Sequence, residues 1–121
     1  MDKIIKSQLE TWQVDGIKKI DSAIYRCVSR VTGQSRKTLW DDPSDQSRRD
    51  ARSLYIHLLQ KHLTPLQVDC LLAGHATRTQ FNTSVRRHNR LMANEDKRYM
   101  RLRERAAQAV ARHLLAVRHG L

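Results

Sequence analysis

Between Leu63 and Leu91 the chain punctuates itself twice in the same way. Thr64-Pro65-Leu66-Gln67 is a helix start, with threonine to cap, proline at the first helical position and glutamine to reach back. Gly74 stops that helix after about three turns. After only His75 and Ala76 the device repeats as Thr77-Arg78-Thr79-Gln80. Two helices joined by so short a turn cannot lie simply antiparallel, and the spacing is that of a helix-turn-helix.

The second helix of the pair, about 78–91, has two unlike faces. At about 100° per residue, Phe81, Val85, His88 and Met92 fall on one side, fit to be buried. Thr79, Thr83, Arg86 and Arg90 fall nearly opposite, with Arg78, Asn82, Arg87 and Asn89 on the shoulders. Such a face suits a DNA major groove, where arginine reads guanine and asparagine reads adenine. It is equally the pattern of a solvated face on an ordinary basic helix.

Charge points toward a polyanion. The chain of 121 residues carries 23 Lys+Arg against 12 Asp+Glu, a net +11. Residues 77–121 alone hold 11 basic and 3 acidic side chains, and Lys97 is their only lysine. Arginine forks match phosphate and guanine better than lysine does. An anionic membrane surface is the competing polyanion. It is disfavoured, because the basic face carries hydroxyls and amides and the apolar faces look committed to a core. The N-terminus has no apolar run of signal or membrane-spanning length. Cys27 and Cys70 are far apart and form no Cys-x-x-Cys, so reduced core thiols in a cytoplasmic, nucleoid-associated protein are expected. No zinc-finger spacing exists around His57 and His62, and no metal or other cofactor is expected.

Four glycines, two prolines and no sustained alternation make the chain all-α, a single domain with extended ends. Residues 3–13 read as a short helix bearing Ile5, Leu9 and Trp12, with Val14-Asp15-Gly16 breaking it. Ile17, Ile20, Ile24, Cys27, Val28 and Val31 form a core stripe that Gly33 ends. Gln34-Ser35 opens a short helical turn whose apolar pair is Leu39 and Trp40, Trp40 packing on the small core. Ser47-Arg-Arg-Asp50 reads as a capping box for a helix to about His62, with Ala51, Leu54, Tyr55, Leu58 and Leu59 inward. Arg48, Arg49 and Arg52 sit at its positive N-terminal end, placed to hold a phosphate, to be solvated, or to bridge to Asp50 and Asp45.

From Asn94 a long last helix is expected, Glu95 and Asp96 in its first turn and Tyr99, Leu102, Ala106, Ala109, Val110, His113, Leu114 and Val117 at helical spacing. Its distal part, 106–121, either packs back on the N-terminal helix, the preferred arrangement, or pairs with a second copy as a homodimer. Arg98, Arg101, Arg105 and Arg112 lie along another of its faces.

Ala51-Arg52-x-Leu54-x-Ile56-x-Leu58-Leu59, then Leu63-Thr64-Pro65-Leu66-x-Val68, Gly74 and Thr79 resemble the C-terminal DNA-binding domain of the bacterial chromosomal replication initiator DnaA. The resemblance covers roughly 17–105 and leaves 1–16 and the distal helix outside. It implies a compact helical bundle whose helix-turn-helix reads double-stranded DNA. Arg52 then matches the family arginine that reaches the minor groove, Thr79 the first threonine of the signature, and Arg86 and Arg87 basic positions further along. Thr77, Arg78, Gln80 and Phe81 depart from the family's aspartate, histidine, second threonine and valine. Those first positions read bases, so a different target sequence is implied. The family's ATP chemistry is not expected of these residues, since none of Gly16, Gly33, Gly74 and Gly120 sits in a phosphate loop. Some transposases carry a similar helical segment, but no His-x-His pair stands here beside a tyrosine nucleophile.

The residues expected to face DNA are therefore Arg48, Arg49, Arg52, Thr77, Arg78, Thr79, Gln80, Asn82, Thr83, Arg86, Arg87 and Arg90. Gln80 carries a second reading, as a helix cap closed to bases. The expected role is regulatory, or origin- or element-binding, in bacterial or phage replication or transcription. Binding of a structured RNA, or of an acidic protein as an adaptor, are the alternatives. No paired carboxylates, triad or metal cluster can be assembled from spacing, so no enzyme is expected.

Overall fold

The computed structural model describes residues 3–42 and 44–118, and the side chains of 16–42 and 44–115. It is all-α, with helices α1 (Lys3–Thr32), α2 (Gln46–His62), α3 (Pro65–Leu72), α4 (Arg78–Ala93) and α5 (Lys97–Arg118), and no strand among the described residues. From Asp50 to Leu59 every residue of α2 but His57 is buried, Arg52 and Ser53 among them, and a helix of that kind has to be surrounded. α2 is accordingly central: α1, α3, α4 and α5 all pack on it. Leu54, Ile56, Leu58 and Leu59 are fully buried there, each contributing roughly 1.5–3 kcal/mol.

α1 brings Ile24, Cys27 and Val28 into the core, with Ile17, Ile20 and Val31 half-buried beside them. The break expected at Val14-Asp15-Gly16 does not occur, since helical backbone runs from Lys3 to Thr32. A lone interior glycine costs only about 1 kcal/mol, and without a proline nothing forbids continuation. Ile5, Leu9 and Trp12 lie outside the described side chains. Gly33, at φ 76°, ends the helix as expected.

Residues 34–41 form successive turns rather than the expected helical turn, closed by Thr38 N–H to Ser35 O and Asp41 N–H to Thr38 O. They bury Leu39 and set the Trp40 ring edge-on to Tyr55, centroids 6.4 Å apart. The start of α2 also differs from expectation. Asp45, not Ser47, is the N-cap, accepting from the Ser47 N–H. The Ser47 hydroxyl instead donates to Thr32 O, and Asp50 turns into the protein. Aspartate is as good a cap as serine, so the choice between the two fell to tertiary contacts.

Both Thr-x-x-Gln devices form. Thr64 with Gln67 and Thr77 with Gln80 are reciprocal capping boxes, and Pro65 stands at the first position of α3. Gly74, at φ 79°, turns the chain after Leu72. α3 is short, eight residues, and buries only Val68 and Leu72. Cys70 is consequently exposed on its outer side, whereas Cys27 is a core thiol; both are free.

α5 begins three residues later than expected. Asn94 closes α4, its N–H reaching Arg90 O. Glu95 takes left-handed backbone at φ 53°. The Asp96 carboxylate accepts from the Tyr99 N–H at 2.9 Å and starts α5. Tyr99, Ala106 and Val110 are buried, and α5 packs along α1. Its distal part thus finds a partner within the chain. α1 and α4 each pack on α2 and α5 but share no extensive interface with each other. No helix among the described residues is long and apolar enough to cross a membrane.

Candidate nucleic-acid interface

α4 is fixed by its ends and its inner face. Ser84 and His88 are buried, and Phe81, Val85, Leu91 and Met92 pack half-buried on the core. The opposite face is open. Thr77, Arg78, Thr79, Asn82, Thr83, Arg86, Asn89 and Arg90 are all exposed. Among the described residues the side chains of Thr79, Asn82, Thr83, Arg86, Asn89 and Arg90 have no hydrogen-bond or ion-pair partner. Arg78 leans on Asp69 at 3.7 Å, and its guanidinium lies 5.4 Å from the Phe81 ring. At 69% side-chain exposure that pair is worth well under 1 kcal/mol and releases Arg78 readily.

The other expected residues have inward duties. Gln80 accepts from the Thr77 N–H at 2.8 Å and donates to Trp40 O at 3.3 Å, so it is a cap closed to bases. Arg87 turns under α4, where Nη1 lies 2.7 Å from Asp50 Oδ1. Its N–H vectors are not aimed along that line, so the contact is ionic rather than a hydrogen bond. Arg48 donates to Asp42 O, and Arg49 donates to Ser44 O at 3.0 Å. Arg52 is buried, donating to the carbonyls of Leu39 and Asp41 with its guanidinium over Trp40. Burial, then the charge of Arg48, pulls its pKa below the usual arginine value. Thus the arginines at the start of α2 hold the carbonyls of the loop before it, rather than the carboxylates of Asp45 and Asp50. Arg52 cannot reach a minor groove without releasing that loop.

Where α2 and α4 begin, a cleft of about 220 Å³ gathers Arg49, Arg52, Thr79, Gln80, Thr83 and Arg87. Ser53 also lines it, and its buried hydroxyl has no hydrogen-bond partner. The remaining expected residues, Arg48, Thr77, Arg78, Asn82, Arg86 and Arg90, lie outside this cleft.

Two buried polar clusters under α4 escaped sequence reasoning. In the first, Asp50 pairs with Arg87 and also accepts from Arg98 Nη1 at 2.6 Å. In the second, the His57 and His88 rings stack at 3.9 Å, and His88 Nδ1 meets the Tyr99 hydroxyl at 2.6 Å. Burial, with His88, Arg103, Lys61 and His62 nearby, lowers the His57 pKa to about 4. Burial and Arg103 lower that of His88. The signal for the first was faint: Asp50 is one of only two acids between 48 and 76. The second joins residues 31 and 11 positions apart, beyond the reach of local spacing.

No protein-family model matches the chain, and neither a curated protein nor a solved structure shows significant similarity to it.

Proposed function

We propose that this chain binds double-stranded DNA, with α3, residues 73–77 and α4 acting as a helix-turn-helix and α4 lying in the major groove. The observation that carries this is the outer face of α4. Six polar or cationic side chains stand there exposed and unpartnered among the described residues, on a helix whose other face is locked by Ser84, His88 and the core. Side chains fixed only at their backbone, on a rigid helix, are what base-edge readout requires. Arg86 and Arg90 present guanidiniums to guanine acceptors, Asn82 and Asn89 present amides to adenine, and Thr79 and Thr83 offer hydroxyls or a methyl to thymine. Arg78 joins them once it leaves Asp69. Positioning on the backbone falls to the remaining positive charge of the chain, +11 in all. The role that follows is regulatory or origin- or element-binding, with no catalytic step.

Selection of duplexes from a random pool at two salt concentrations tests this. A recovered consensus, lost in an Arg86→Ala, Asn82→Ala variant, supports it. Preference for duplex RNA over duplex DNA at matched salt, or no nucleic-acid binding at physiological salt, overturns it.

A further inference from the structure

We propose that the chain carries a second duplex-binding surface, on α1 and α5, and so bridges two DNA segments. At about 100° per residue, Lys19, Arg26 and Arg30 fall on one face of α1, Lys18 is on its shoulder, and all four are exposed. Lys18, Lys19 and Arg26 meet His113 of α5 along a groove of about 300 Å³. Arg112, exposed on α5, precedes His113, and its charge, like those of Arg30 and Arg26, reaches the buried Cys27 thiol. None of these cations is ion-paired among the described residues. Arg48, Arg52, Arg87 and Arg98, by contrast, are held by carbonyls or by Asp50. Unpaired like charges side by side repel one another, and an external polyanion relieves that repulsion.

The occupant is the phosphate backbone of a duplex. Lys19 to Arg30 covers about 16 Å of helix at about 1.5 Å per residue. That matches the axial length of about five nucleotides of one strand, at about 3.4 Å per charge. Among the described residues the exposed large apolar side chains are Leu66 and Leu115, and neither lines the groove, so nothing there is placed to enter a bilayer. α1 and α4 share no extensive interface, so a duplex on α1 and another on α4 need not compete. Bridging rests on the proposed binding through α4, and the second surface stands without it.

The test uses the full chain and two duplexes, one immobilised and carrying the selected site, the other labelled and free. Wild type is compared with the triple variant Lys19→Gln, Arg26→Gln, Arg112→Gln, whose positions are exposed and whose folding is checked by circular dichroism. Expected is single-duplex affinity within about threefold of wild type and capture of the second duplex reduced at least tenfold. With about four phosphates contacted, wild-type capture should fall roughly a hundredfold between 50 and 200 mM salt. Capture unchanged in the variant, as bridging by a dimer would give, overturns the second surface. So does a wild type whose binding to one duplex is lost in Arg86→Ala and that never captures another, or cations that bind anionic vesicles in preference to DNA. Were α4 not the reader, Arg86→Ala would leave site binding intact while the triple variant still lost its nonspecific binding, and the two failures are thereby told apart.

Discussion

The Asp50 carboxylate lies 2.7 Å from the Arg87 guanidinium on one side and 2.6 Å from that of Arg98 on the other. One buried acid of α2 therefore ties down both α4 and α5. Removing one partner of a buried ion pair costs about 3–5 kcal/mol, because the remaining charge is stranded. Arg98 is half-exposed and recovers water, so the lower end applies. Asp50→Asn should lose about 3 kcal/mol in urea unfolding. A loss below about 1 kcal/mol would mean that the cluster does not fasten the helices.

Arg86 and Arg87 are adjacent in sequence and opposite in duty. Arg86→Ala should leave stability nearly unchanged and weaken binding at a selected site by roughly 1–3 kcal/mol, relaxing base preference. Arg87→Ala should do the reverse in the first instance, lowering the melting temperature through Asp50. Equal effects of the two substitutions on stability and on binding would contradict this division.

The stacked His57 and His88 make stability depend on pH. Unfolded, both imidazoles titrate near 6.5; folded, His57 holds its proton only below about 4, and His88 is shifted in the same direction. Between those values the unfolded chain binds more protons. Stability is thus full above pH 6.5 and falls as pH drops toward 4. His57→Gln should flatten that slope in urea titrations at pH 7.0, 5.5 and 4.5. A wild-type slope of the opposite sign would exclude neutral burial of the pair.

Gly16 is exposed within α1, and a Cβ there would meet nothing within 4 Å. Gly16→Ala should stabilise the chain by about 0.5–1 kcal/mol. No gain, or a loss, would show that α1 is interrupted at that point.

The capping boxes are separable from packing. Thr77→Ala removes the oxygen that accepts from the Gln80 N–H at 3.0 Å and should cost about 1 kcal/mol, a few degrees in melting temperature. Thr64→Ala should do the same for α3. Melting curves that do not move would show the boxes to be idle in solution.

What was legible in the sequence was local. Thr64 with Gln67, Thr77 with Gln80, and the inward positions of α4 are decided within four residues, and they form as read. The stripes of α1 and α2 were legible for the same reason. What escaped depends on neighbours far along the chain. Ser47 had every mark of a cap, but Thr32 O drew its hydroxyl away. Arg52 looked like a phosphate or groove contact, yet the carbonyls of Leu39 and Asp41 came within its reach. Arginine is long enough to be ambiguous in this way, and only packing resolves which backbone it meets. The start of α5 is hidden in the sequence because Glu95 and Asp96 look alike there, although the left-handed backbone of Glu95 separates their duties.

That left-handed Glu95 has a mechanical consequence. With Asn94 sealing one helix and Asp96 opening the next, the elbow from α4 to α5 has no slack residue about which to swivel. In the proposed complex α4 would then meet the duplex as a stiff bar at a preset angle, and conformational give would have to come from the groove.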